Sequence, residues 1–298
     1  MIKLAAIDIG SNAVRLMLAR VLEDRTEVTF VKDSLIRFPL RLGEDVFSTQ
    51  RISKEKAAKL ETVIRAFKDL IEASDAVSYI ACATSAMREA RNGAQIVKSI
   101  AQRTGVEIEI IDGKREAAII YSSHVGHSMR FPSPLLYVDV GGGSTELTLL
   151  SRSKIIESNS FKIGAVRMLQ KGRPKQEWDI MKRWLAEKVV PFHPKAAVGT
   201  GGSINSIFKL SRKREGKPLT AKQIKAIAEF VGAYTVEERV KLLGMRPDRA
   251  DVILEAADIY LSVMKVAGIK KMYVPILGLS DGLIYELYTK LSTTHKKK

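Results

Sequence analysis

The chain has 298 residues, 46% hydrophobic and 28% charged, with a formal net charge of +16 at pH 7. That is ample apolar material for a buried two-domain core and excludes a disordered chain, while no apolar run reaches transmembrane length, which excludes a helical membrane anchor. One cysteine, Cys82, excludes an internal disulfide and agrees with a reducing compartment, and the basic excess argues for an anionic partner.

Met1-Ile2-Lys3 leads straight into a strand with no signal-peptide cleavage pattern, so a cytoplasmic protein is expected. Strands are predicted near 2–10, 14–21 and 27–33. The first two form a hairpin in which an apolar run ends in Asp8 and the turn Gly10-Ser11-Asn12 leads into the alternating run Val14 to Val21. Ser53 caps a helix whose apolar residues Leu60, Val63, Ile64, Phe67, Leu70 and Ile71 keep helical spacing. A strand at Val77 to Ala83, a helix at Ala94 to Thr104 closed by Gly105, and a strand at Val106 to Ile111 make the pattern α/β. A helix from Lys114 to about Ser123 meets the proline-rich joint Arg130-Phe131-Pro132-Ser133-Pro134. The domain boundary is placed near Ser122, giving domains 1–122 and 123–298.

The second half opens with the same device: Leu135 to Val140, containing Asp139, then Gly141-Gly142-Gly143-Ser144-Thr145, then Glu146 to Leu150. An ancient duplication is the simplest explanation. A third glycine turn, Gly199-Thr200-Gly201-Gly202-Ser203, runs into a helical pattern from Ile204 to Leu210. Helices at Trp178 to Val190, Lys222 to Val231 and Arg249 to Val266, a strand at Met272 to Leu277, and a last helix at Asp281 to Leu291 complete the chain.

Glycines let backbone N–H groups approach an anion, and Ser, Thr and Asn add donors, so the three turns read as phosphate-binding. The third can also set a helix N-terminus on an anion. Asp8 and Asp139, at matching strand ends, suit a magnesium ion, which takes one or two carboxylates together with substrate phosphates. No G-x-x-x-x-G-K-[ST] stretch exists, so a Walker-type loop is excluded. Cys82 to Arg88 has the C-x5-R spacing of cysteine-dependent phosphatases, but the intervening loop has no glycine and Cys82 reads as part of a buried strand, where a thiol is inert. His124 and His127 lack a third ligand and read as structural rather than as a metal site. Arg212-Lys213-Arg214 with Lys217 reads equally as a solvated loop or an anion contact, and the Lys296-Lys297-Lys298 tail as solvated. No aromatic-rich stacking motif supports nucleic acid as a partner.

Asp8 through Leu16, Ala83 through Gly93, Glu116-Ala117, Asp139 through Glu146 and Gly199 through Ser203 together resemble, in order, the exopolyphosphatase and guanosine pentaphosphate phosphohydrolase family of the actin-like ATPase superfamily. The resemblance extends over essentially the whole chain. It implies two duplicated actin-like (ribonuclease H-like) domains with an interdomain cleft, the last helix packing back on the first domain. Larger relatives carry a further helical domain, for which this chain is too short.

The implied activity is removal of terminal phosphate from polyphosphate or guanosine pentaphosphate by in-line attack of water, with Mg²⁺ or another divalent cation. By the resemblance Glu116 activates the water, and Asp139 and Glu146, with Asp8, hold the metal. Gly10, Ser11, Asn12, Arg15, Arg88, Gly141, Gly142, Gly143, Ser144, Thr145, Gly201, Gly202 and Ser203 contact phosphate, the arginines because a planar guanidinium donates two parallel hydrogen bonds. Arg115 stands where relatives often carry an acid. Two alternatives stay open: a kinase or ATPase of the same superfamily, and a binding or sensing protein with little catalysis. The assembly is left open, a homodimer included.

Overall fold

The computed structural model describes residues 1–24, 28–126, 132–151 and 154–295. The chain divides into two compact units, Met1–Met129 with Leu277–Lys298, and Arg130–Ile276.

The first unit contains β1 (Ile2–Ile9), β2 (Val14–Glu23), β3 (Val28–Phe38), α1 (Leu42–Thr49), α2 (Lys54–Ala73), β4 (Ser78–Ala83), α3 (Ser85–Glu89), α4 (Gly93–Thr104), β5 (Glu109–Ile110) and α5 (Gly113–Gly126). The sheet order is β3-β2-β1-β4-β5, with antiparallel pairs from β1 to β3 and parallel pairs from β1 to β5. β1 is central, and Leu4, Ala5, Ala6 and Ile7 are all fully buried, as a strand covered on both faces requires. Ser53 caps α2 as expected, accepting from the Lys56 N–H. β3 runs past its predicted end because a bulge at Asp33 breaks its alternation; Asp33 instead accepts from Arg20 at 2.6 Å.

The second unit contains β6 (Leu135–Val140), β7 (Thr145–Ser151), β8 (Lys154–Phe161), α6 (Ala165–Lys171), α7 (Lys175–Lys188), β9 (Ala196–Thr200), α8 (Gly202–Leu210), β10 (Leu219–Thr220), α9 (Ala221–Gly232), α10 (Val236–Lys241), α11 (Pro247–Ala250), α12 (Ile253–Val266) and β11 (Lys271–Tyr273). Its order, β10-β11-β9-β6-β7-β8, repeats the first sheet with one strand added at the edge. The repetition reaches to irregularities: both antiparallel ladders shift register at matching places, between Leu18 and Ala19 and between Leu149 and Leu150. Three predicted elements differ. α7 ends at Lys188, and after Val189 the chain tightens into a single 3-10 turn, Val190–Phe192, in which Pro191 sits at the start, where its missing N–H costs no helix bond. β11 stops at Tyr273 because Pro275 cannot donate to a ladder and Ile276 turns at φ 53°. The predicted Arg249 to Val266 helix is two pieces, α11 and α12.

The chain then returns to the first unit as α13 (Leu279–His295), which packs on α5 and β1. Gly282 lies against the backbone carbonyl of Ile119, an approach that any Cβ would block. Leu283, Ile284 and Leu287 join Ile119, Ile120, Leu4 and Ala6 in one core. Lys32 reaches Asp281 at 2.7 Å, and Phe30 lies 5.6 Å from the rings of both Tyr285 and Tyr288. Arg115 donates to Glu286 at 2.5 Å. Burial pushes the Glu286 carboxyl up, but hydrogen bonds from Arg115 and Lys290 outweigh it and hold the group below its usual range. Arg115 is thus a tie between α5 and α13. Among the described residues no helix is long and apolar enough to cross a membrane.

Candidate active site

In each unit the residues of interest follow the carboxyl ends of parallel strands, where ligands bind in open α/β sheets. In the first unit these are the turn after β1, the start of α3 after β4, and the start of α5 after β5. The turn is closed by the Gly10 N–H donating to the Ala13 carbonyl at 3.0 Å. The carbonyls of Ser11 and Asn12 accept from the N–H groups of Gly43 (2.8 Å) and Arg41 (3.0 Å). Because C=O and the following N–H point oppositely across a trans peptide, the amides of Asn12 and Ala13 face away from that backing segment. Ser11 and Asn12 are buried, and the Ser11 hydroxyl meets that of Ser85 at 2.8 Å, tying the turn to α3.

The second unit repeats this with more glycine. Gly141 N–H donates to the Ser144 carbonyl at 2.9 Å, the counterpart of the Gly10 to Ala13 bond. The carbonyl of Gly141 accepts from Ala165 (3.0 Å), that of Gly142 from Val166 (2.9 Å) and Arg167 (3.0 Å), and that of Gly143 from the Arg167 Nε (2.8 Å). By the same peptide geometry, the N–H groups of Gly142, Gly143 and Ser144 all face away from α6, a row of amides suited to an anion. The row depends on Gly164, where a Cβ would come within 2.5 Å of the Gly142 carbonyl carbon and oxygen. Thr145, expected to contact phosphate, is fully buried and its hydroxyl donates to the Ile163 carbonyl at 2.6 Å, anchoring the turn.

The two hairpins differ in charge. Asp139 and Glu146 are direct register partners across β6 and β7, and their counterparts Asp8 and Arg15 are partners across β1 and β2. Asp8 and Arg15 form an ion pair, so a carboxylate expected to hold metal and an arginine expected to hold phosphate neutralise each other. Asp139 and Glu146 are two like charges facing each other, which is destabilising without a cation. Hydroxyls steady both: Thr200 donates to Asp139 at 2.5 Å and Ser160 to Glu146 at 2.7 Å. Behind them the fully buried Tyr260 donates to the Thr200 carbonyl, its phenol held well above the usual pKa by burial and by Asp139. This hard, all-oxygen donor set fits a magnesium-like ion.

Glu116 lies buried in the first turn of α5, its carboxylate 3.9 Å from the Arg88 guanidinium, which also donates to the Ile111 carbonyl at 2.5 Å. The third turn follows β9: Gly201 has φ 109°, Ser203 is buried in the first turn of α8, and Arg249 lies across Gly202, where a Cβ would come within 2.8 Å of its Nε. The side chains of His124 and His127 and the Lys296-Lys297-Lys298 tail lie outside the described residues. No local sequence signal marks Gly164, Arg167, Ser160, Tyr260 or Arg249, and Thr200 is marked only by its place in the third glycine turn.

Cys82 is the register partner of Asp8, as Thr200 is of Asp139, but it is fully buried and its thiol is pushed up to about 12 by burial and then by Glu109. A group with so high a pKa is a protonated thiol throughout the neutral range and becomes nucleophilic only near pH 12. Cys82→Ala is expected to retain wild-type turnover, and a thiol-reactive dye at pH 8 is expected to label only denatured protein; rapid labelling of the native state would contradict the assignment.

A duplicated sheet with a backed glycine turn at the end of each central strand defines a two-domain actin-like ATPase fold equipped for phosphate chemistry. The chain belongs to the Ppx/GppA phosphatase family, whose model matches residues 34–291. It is 26% identical to exopolyphosphatase 1 of Mycobacterium tuberculosis over 302 residues, covering 95% of this chain and 87% of that protein. With exopolyphosphatase 2 of the same organism it shares 27% identity over 317 residues, 96% and 98% of the two chains. The crystal structure of the Aquifex aeolicus Ppx/GppA family member superposes with a TM-score of 0.77 at 26% identity, covering 97% of this chain and 98% of that one.

Proposed function

We propose that this phosphatase removes the terminal phosphate of inorganic polyphosphate, with guanosine pentaphosphate as a second substrate, by in-line attack of water assisted by Mg²⁺. The observation that carries the reading is the Asp139 and Glu146 carboxylate pair, opposed across a hairpin whose turn offers three amides to an anion. When bound, the ion supplies positive charge to the phosphate oxygens. Of the carboxylates assigned to metal, Asp139 and Glu146 carry the reading best, since Asp8 is already neutralised by Arg15.

Glu116 orients the attacking water and accepts its proton, and Arg88 holds that carboxylate in place while adding positive charge. The amides of Asn12, Gly142, Gly143 and Ser144, with the Gly201 to Ser203 turn, bind phosphate oxygens, which supplies the electrostatic stabilisation on which phosphoryl transfer chiefly rests. Exopolyphosphatase relatives that align over nearly the whole chain support polyphosphate as the substrate.

The test is phosphate release from polyphosphate, guanosine pentaphosphate and ATP side by side. Release from polyphosphate is expected to exceed release from ATP, to stop on chelation and to return with Mg²⁺. Preferential ATP turnover would replace this reading with a kinase or ATPase, and tight polyphosphate binding without release would replace it with a sensor.

A further inference from the structure

Between Lys209 and Lys225 the chain carries seven cations against one acid, Glu215. Elsewhere the helices balance their charge along one face, as in Lys59 with Glu55, Arg65 with Glu61, Lys241 with Glu237 and Lys290 with Glu286. Here only Lys225 has such a partner, Glu229 at 3.6 Å, while Lys213 donates to the Pro218 carbonyl. Among the described residues Lys209, Arg212, Arg214, Lys217 and Lys222 are exposed and make no ion pair. Lys271, also exposed, joins them across the β10 and β11 ladder as the register partner of Thr220. Six cations thus gather at one edge of the second unit, on the end of α8, the following turn, the start of α9 and the start of β11.

The place matters as much as the charge. α8 begins at Gly202 in the third glycine turn and runs nine residues to Leu210. At 1.5 Å of rise per residue Lys209, where the cationic edge begins, lies about 10 Å along the helix from the phosphate turn.

We infer that this edge is a second binding site for long-chain inorganic polyphosphate, gripping the chain at a distance from its reacting end. The inference rests on the proposed function for the substrate class. Polyphosphate needs only cations along its path, and the segment from Lys209 to Lys225 contains no aromatic residue on which a nucleic-acid base could stack. A three-phosphate chain seated at the turn ends before the edge, so the site distinguishes long chains from short ones.

The test is the variant Lys209→Gln, Arg214→Gln, Lys217→Gln, Lys222→Gln, assayed with Mg²⁺ on long-chain polyphosphate and on tripolyphosphate. For the long chain KM is expected to rise about tenfold with kcat unchanged, and the salt dependence of binding to become shallower, since counterion release scales with the number of contacts. Tripolyphosphate kinetics are expected to stay the same. Equal shifts for both substrates, or none for either, would overturn the inference. If the wild type releases no phosphate from any substrate, the proposed function fails and the site is judged by equilibrium binding of dye-labelled long-chain polyphosphate. There the variant is expected to bind about tenfold more weakly, and equal binding would overturn the site. Equally tight, competing binding of single-stranded DNA would overturn polyphosphate as its occupant.

Discussion

Glu116→Gln is expected to lower phosphate release from polyphosphate by about 100- to 10,000-fold, the usual contribution of a positioned general base. The substitution keeps the size of the side chain and its place in the first turn of α5, but it removes the acceptor for the water's proton. It also removes the charge beside Arg88, 3.9 Å away. Substrate affinity is expected to hold or improve, because an anionic substrate no longer meets a carboxylate. The split between a fallen kcat and a steady KM therefore separates loss of chemistry from loss of binding. A variant that keeps more than a tenth of wild-type turnover would remove Glu116 from the mechanism.

Gly164→Ala is expected to produce the second largest effect, and a different kind. One methyl group there meets the backbone of Gly142 and Gly143, not a flexible side chain, so the turn and the start of α6 must part. The carbonyls of Gly141 and Gly142 then lose donors from Ala165, Val166 and Arg167, and the amide row of the turn loses its direction. Overpacking of this sort costs about 1–3 kcal/mol of stability. Losing an oriented donor to the reacting phosphate lowers kcat about 100-fold or more. Thermal unfolding and turnover measured together check both; wild-type turnover with an unchanged melting temperature would show that the amide row is not what binds phosphate.

Much of this was legible in the chain. The duplicated hairpins, each with Asp, glycine turn and alternating strand, announced themselves because all their determinants are local. The cap at Ser53 and the helical spacing of Leu60 to Ile71 likewise need only neighbouring residues. What stayed hidden was non-local. Gly164 looks like any residue before a short helix until the backbone of a turn some twenty positions earlier is laid on it. The bulge at Asp33 is set by the partner strand β2, which no periodicity within β3 reports. Arg115 read as a departure from a catalytic pattern, whereas its partner Glu286 lies in the last helix, at the far end of the chain. The pairing of Arg15 with Asp8 followed from strand register, which depends on where the turn closes.

That register carries a lesson about how duplicated machinery specialises. Each copy offers one strand-end aspartate and one facing position on the neighbouring strand; a cation there neutralises the aspartate, and an anion there sets two carboxylates face to face. Arg15 and Glu146 are those two choices. On the proposed function, that one position gives the first copy a charge-balanced hairpin and the second the carboxylate pair assigned to the cation. The shared strand order and register persist while the charge differs at one ladder position.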